Sequence, residues 1–63
     1  MTPDRGIELV GAWPADKTIP RKLAEGIKKT SGNDRRKLRS LIEALYAAAE
    51  GPADLELIEK HFD

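Results

Sequence analysis

Between Asp34 and Glu50 the chain reads DRRKLRSLIEALYAAAE, and the positions of its apolar residues admit one kind of secondary structure. Leu38, Leu41, Ile42, Leu45, Tyr46 and Ala49 fall at offsets 0, 3, 4, 7, 8 and 11. An α-helix gathers those positions into a single stripe, whereas a strand would throw them onto both faces. The spacing predicts a helix over 34–50 whose stripe must be covered by other parts of the chain. Ala44, Ala47 and Ala48 leave room for a neighbouring backbone to approach closely.

Two more helices are expected to supply that cover. The first runs over 19–30, with Thr18 as its N-cap and Pro20 in the first turn, where the missing N–H is harmless. Ile19, Leu23 and Ile27 recur every four residues and define its buried side. Gly26 in its interior costs about 1 kcal/mol against Ala and is expected to mark a close helix crossing. Thr30 to Asn33 break the pattern, and Ser31 with Asp34, or Asn33 alone, is expected to cap the 34–50 helix. Gly51 is expected to end that helix in the left-handed conformation, with Pro52 preventing its continuation. The last helix is expected over 52–62, where Leu55, Ile58 and Phe62 share one side and Leu57 widens it.

Residues 1–16 contain Pro3, Gly6, Gly11 and Pro14, which punctuate the segment too often for a helix. They are expected to form an extended strap, with Trp13 as a lid over the helices. Ile7, Leu9 and Val10 could make a short strand, for which the chain offers no partner. The fold class expected is therefore all-α. Three helices at about 19–30, 34–50 and 52–62 form a domain over 17–63, the strap packs over it, and the whole is a single domain.

A chain of 63 residues is near the lower limit for independent folding. It has no Cys, which removes disulfides and thiolate metal sites. Its hydrophobic fraction of 40% is low and its charged fraction of 35% is high, so a homodimer is one way of completing the core. The segment MTPDRGIELVGAW lacks the basic start and long apolar run of a leader. The longest apolar run, Ala44 to Ala49, is far too short to span a bilayer. A soluble, cytoplasmic protein with no membrane partner is expected.

The net charge of zero hides a division along the chain. Met1 to Asp16 has Arg5 against Asp4, Glu8 and Asp16, giving −2. Lys17 to Arg39 has nine Lys or Arg against Glu25 and Asp34, giving +7, and Ser40 to Asp63 has Lys60 against six acids, giving −5. Arg35, Arg36, Lys37 and Arg39 open the 34–50 helix, where the helix dipole disfavours cations unless something anionic answers them. Lys28, Lys29, Arg35, Arg36 and Arg39 are expected to gather around the Ser31–Asn33 turn as a basic edge for the phosphates of DNA or RNA. An ordinary solvated face, partly neutralised by Asp34 and Glu25, is the plainer reading of the same residues.

Catalytic chemistry is sparse. There is one His, and Ser31 and Ser40 are the only serines. Glu59 and Asp63 flank His61 at two positions' distance and project to other helix sides, a poor ligand set. Lys29-Thr30-Ser31 has Lys28 where a phosphate-binding loop requires glycine. No catalytic residue, metal site or cofactor is expected. A helix-turn-helix built on 19–30 and 34–50 lacks the small residue such a turn requires. The pair 34–50 and 52–62 would present Asp54, Glu56 and Glu59 to phosphates. The layout resembles small phage or mobile-element proteins in outline, and no motif names a family.

Two functions are compatible with these features. The first is a small non-enzymatic nucleic-acid-associated or regulatory protein using the basic edge. The second is a protein–protein interaction module or inhibitor using the acidic last helix or the apolar stripe of 34–50.

Overall fold

Most of the segment expected to be an extended strap, residues 3–12 of 1–16, is a helix. The protein, described for residues 1–62 by a computed structural model, contains α1 (Pro3–Ala12), α2 (Ile19–Lys28), α3 (Gly32–Ala48) and α4 (Pro52–Phe62). The all-α class stands, with four helices in place of three and no strand among the described residues.

The residues read as breakers in 1–16 occupy positions where a helix tolerates them. Thr2 is the N-cap, and its hydroxyl accepts from the Arg5 N–H at 3.2 Å. Pro3 sits at the first helical position, where no intrahelical N–H is lost. Pro14 lies beyond the end of α1. Gly6 is the informative position: a Cβ placed there would lie 2.5 Å from Leu38 Cδ2 and 2.8 Å from Leu41 Cδ1. The glycine lets α1 lie directly on α3. Gly6, Leu9 and Trp13 are buried at offsets 0, 3 and 7, a helical stripe whose first member has no side chain.

α1 packs on α2 and α3, and α4 packs on the same two helices, while α1 and α4 do not approach each other. The core they enclose contains Leu9, Trp13, Ile19, Leu23, Ile27, Leu38, Leu45 and Ile58. All three expected members of the α2 stripe are buried. In α3, Leu38 and Leu45 are fully buried, Leu41 and Ile42 are half-buried, and Tyr46 is 40% exposed, with Ala49 half-buried just past its end. In α4, Ile58 is buried and Leu57 and Phe62 pack on the core, but Leu55 faces outward, also 40% exposed. Trp13 is a lid as expected, and it also tethers: its indole N–H donates to the Leu45 carbonyl at 2.9 Å.

Several boundary expectations are corrected. α2 ends at Lys28 instead of 30, and the Lys29 and Thr30 N–H groups close its last turn on Gly26 and Ile27. Thr18 sits at the N-cap position of α2 without a capping bond, while the Asp16 carboxylate accepts from its N–H at 2.9 Å and its hydroxyl at 2.6 Å. Gly26 does not mark a helix crossing, because its open side is filled by the Met1 side chain. α3 begins at Gly32, whose φ of +68° is in the left-handed region, and Ser31 makes no side-chain cap. α3 ends at Ala48, and Ala49 leaves it in an extended conformation. Gly51 is not its left-handed stop. The Gly51 carbonyl instead accepts from the N–H groups of Asp54 and Leu55, so it opens α4, which spans 52–62 as expected.

Candidate nucleic-acid interface

The five expected site residues, Lys28, Lys29, Arg35, Arg36 and Arg39, are all exposed. Lys28 closes α2, and Arg35 and Arg39 are one helical turn apart on α3, so they project from the same side of it. These three line one cleft of about 200 Å³, together with Ala24, Ile27, His61 and Phe62. Lys29 and Arg36 do not line it. Arg36 follows Arg35 directly and is therefore rotated to another side of α3, and Lys29 lies just past the end of α2.

Among the described residues no ion pair engages these five cations. Among the described residues the ion pairs are Arg5 with Glu8 at 2.9 Å, Lys17 with Asp54 at 2.8 Å and Lys22 with Asp16 at 3.6 Å. A second cleft of about 340 Å³ adjoins the first and is lined by Arg21, Ala24, Glu25, Lys28, Lys60 and His61. Across both clefts, Arg21, Lys28, Arg35, Arg39 and Lys60 face one carboxylate among the described residues, Glu25.

α4 contributes to this surface in a way its sequence conceals. Its acids suggest a surface that repels phosphate, yet Asp54 turns inward. The Asp54 side chain is only 6% exposed; it accepts from Lys17 at 2.8 Å and from the Glu50 N–H at 2.9 Å. The Lys17 hydrogen bond and then the Glu50 N–H hold its carboxyl below the ordinary value of 3.8. Glu56 and Glu59 are exposed and line neither cleft. What α4 brings to the clefts is its last turn, Lys60, His61 and Phe62, carried there because α4 packs along α2.

Arg21, Lys60, His61 and Phe62 were therefore missing from the expected set. Arg21 had a visible signal, since it stands seven residues before Lys28 on the exposed side of α2. Lys60 and His61 are accounted for from sequence by the helix dipole alone. Nothing local says that the end of α4 returns to the end of α2.

Among the described residues no three His, Asp or Glu side chains converge as a metal-ligand set. No helix among them is long and apolar enough to cross a membrane. Compared with known protein families, curated proteins and solved structures, the chain shows no match.

Proposed function

We propose that this chain is a small non-enzymatic nucleic-acid-associated or regulatory protein that holds a phosphate backbone of DNA or RNA along the cleft between α2, the start of α3 and the end of α4. The observation that carries the reading is the convergence of Lys28, Arg35 and Arg39 on one cleft with no carboxylate pairing them among the described residues. Arginines in such a position suit bidentate phosphate contact, and uncompensated cations gain most from releasing the counterions condensed on a polyanion. Lys29 and Arg36 are assigned a weaker, long-range part. The cytoplasm is the setting this function implies. Leu38 and Leu45 are buried within one chain, and the monomer is taken as the binding unit.

The test is titration of labelled DNA and RNA at low and moderate salt, with the Arg35→Ala, Arg39→Ala double variant alongside. Binding that weakens steeply with salt and falls in the variant supports the reading, and no binding even at low salt overturns it. A protein partner is the alternative. It is favoured by the outer side of α4, where Glu56, Glu59 and the 40% exposed Leu55 face solvent. Of the apolar stripe of α3, Leu38 and Leu45 are internal, and the 40% exposed Tyr46 is what remains open to such a partner.

A further inference from the structure

The two clefts share Ala24, Lys28 and His61, so they form one channel. Its lining is of two chemistries. Arg21, Lys28, Arg35, Arg39 and Lys60 are its cationic lining, the rim, while Ala24, Ile27 and Phe62 are its apolar lining, the wall, with Ile27 itself only 5% exposed. Arg21 and Lys28 stand two turns apart on α2, which gives the rim a length of about 10 Å at 1.5 Å per residue. A phosphate is held by the rim and gains nothing from the wall. A duplex presents phosphates and sugars outward and keeps its base faces stacked inside, so it leaves the wall bare. An unpaired nucleotide carries a flat apolar base next to its phosphate and can use both. The first cleft, at about 200 Å³, is smaller than the roughly 300–1,000 Å³ of pockets that enclose drug-sized ligands, a size suited to one ring system rather than a base pair.

Resting on the nucleic-acid reading above, we infer that the channel takes single-stranded nucleic acid, with one unpaired base seated against Phe62 while Lys28, Arg35 and Arg39 hold the neighbouring phosphates. Phe62 is half-buried and packs on the core, so part of its side chain stays at the surface beside the cations. His61 lines both clefts beside it and offers a second flat surface at the junction. Aromatic stacking of this kind tolerates any base, because every base has a π-face. The channel is therefore expected to discriminate strandedness and not sequence.

The experiment compares a labelled oligothymidylate, an oligodeoxyadenylate and the duplex of the two by fluorescence anisotropy at about 50 and 200 mM salt. Both single strands are expected to bind at least about tenfold more tightly than the duplex. Phe62→Leu keeps an apolar side chain on the core and removes the π-face. It is expected to lower single-strand affinity by roughly fivefold or more and to leave duplex affinity unchanged, whereas Phe62→Tyr retains the preference. Circular dichroism verifies that each variant is folded. If Phe62→Leu does not fold, the wild-type comparison decides by itself. Equal affinities, or a preference for duplex, overturn the inference and leave the phosphate-contact reading standing. An unaltered single-strand preference in folded Phe62→Leu overturns the seat at Phe62. Binding of no oligonucleotide at the lower salt overturns both readings.

Discussion

The indole N–H of Trp13 donates to the main-chain carbonyl of Leu45 at 2.9 Å, joining the end of α1 to the last turn of α3. Leu45 is within the final four residues of α3, whose carbonyls have no partner inside the helix. The Ala49 N–H, which would otherwise reach back to Leu45, bonds Tyr46 instead. Trp13 therefore fills the core and satisfies a helix-end carbonyl at once. Replacing it by Phe keeps most of the apolar area and orphans that carbonyl. Trp13→Phe is predicted to destabilise the protein by about 1–3 kcal/mol, and Trp13→Ala by about 3–5 kcal/mol, read from urea unfolding. An unchanged midpoint for Trp13→Phe would show that the hydrogen bond contributes nothing.

Glycines at two points of α1 are predicted to respond oppositely to the same substitution. A Cβ at Gly6 meets the δ-methyls of Leu38 and Leu41 at 2.5 and 2.8 Å, whereas at Gly11 nothing lies within 4 Å. Leu38 is fully buried, so its δ-methyl must shift within the core. Overpacking of about 1–3 kcal/mol should outweigh the helix-propensity gain of about 1 kcal/mol, making Gly6→Ala net destabilising. Gly11→Ala is predicted to stabilise by about 0.5–1 kcal/mol. Gly32→Ala is predicted to cost about 1–2 kcal/mol, because φ there is +68°. Thermal melts of the three variants check the ordering.

Stability at low pH should depend on Asp54 and Asp16. Both carboxyls lie below the ordinary 3.8 in the folded chain, Asp54 mainly through Lys17 and Asp16 mainly through the Thr18 hydroxyl. A lowered folded value means that the unfolded chain binds protons first as pH falls. The stabilisation is thus complete above the unfolded value near 3.8 and is lost as pH drops through the lowered folded values. Asp54→Asn is predicted to reduce the unfolding midpoint at neutral pH and to flatten the acid limb. An acid limb that is the same in wild type and Asp54→Asn would remove Asp54 from the account.

Removing cleft cations should change the salt dependence of binding as well as its strength. Each lost phosphate contact reduces the slope of log affinity against log salt by about 0.7 for single strands and about 0.9 for duplex DNA. Arg35→Ala with Arg39→Ala is predicted to reduce it by roughly twice that amount. Arg36→Ala and Lys29→Ala, outside the clefts, are predicted to weaken binding less and to leave the slope nearly unchanged. Equal effects at all four positions would mean that net charge alone drives association.

How much of this was legible in the sequence divides by mechanism. The stripes of α2 and α3 were readable because long apolar side chains at helical spacing leave few alternatives, and Ile19, Leu23, Ile27, Leu38 and Leu45 are all buried. α1 was hidden because a helix that must touch another closely places a glycine, Gly6, where the stripe needs a residue. Propensity reads that glycine as a break, while tertiary contact makes it a requirement. In the cleft, Lys28, Arg35 and Arg39 were readable from their closeness in sequence around one turn. Arg21 carried a weaker sign in its spacing from Lys28. Lys60, His61 and Phe62 join them through the packing of α4 on α2, a contact between residues about thirty positions apart that no local pattern encodes.

The most direct measurement is an amide chemical-shift map of the ¹⁵N-labelled protein titrated with a short oligonucleotide at low salt. The account predicts the largest shifts at Lys28, Arg35, Arg39 and His61, with Arg21 and Lys60 following and α1 silent. Shifts centred on Glu56 and Glu59, shifts spread evenly over the surface, or a spectrum that does not change would contradict it.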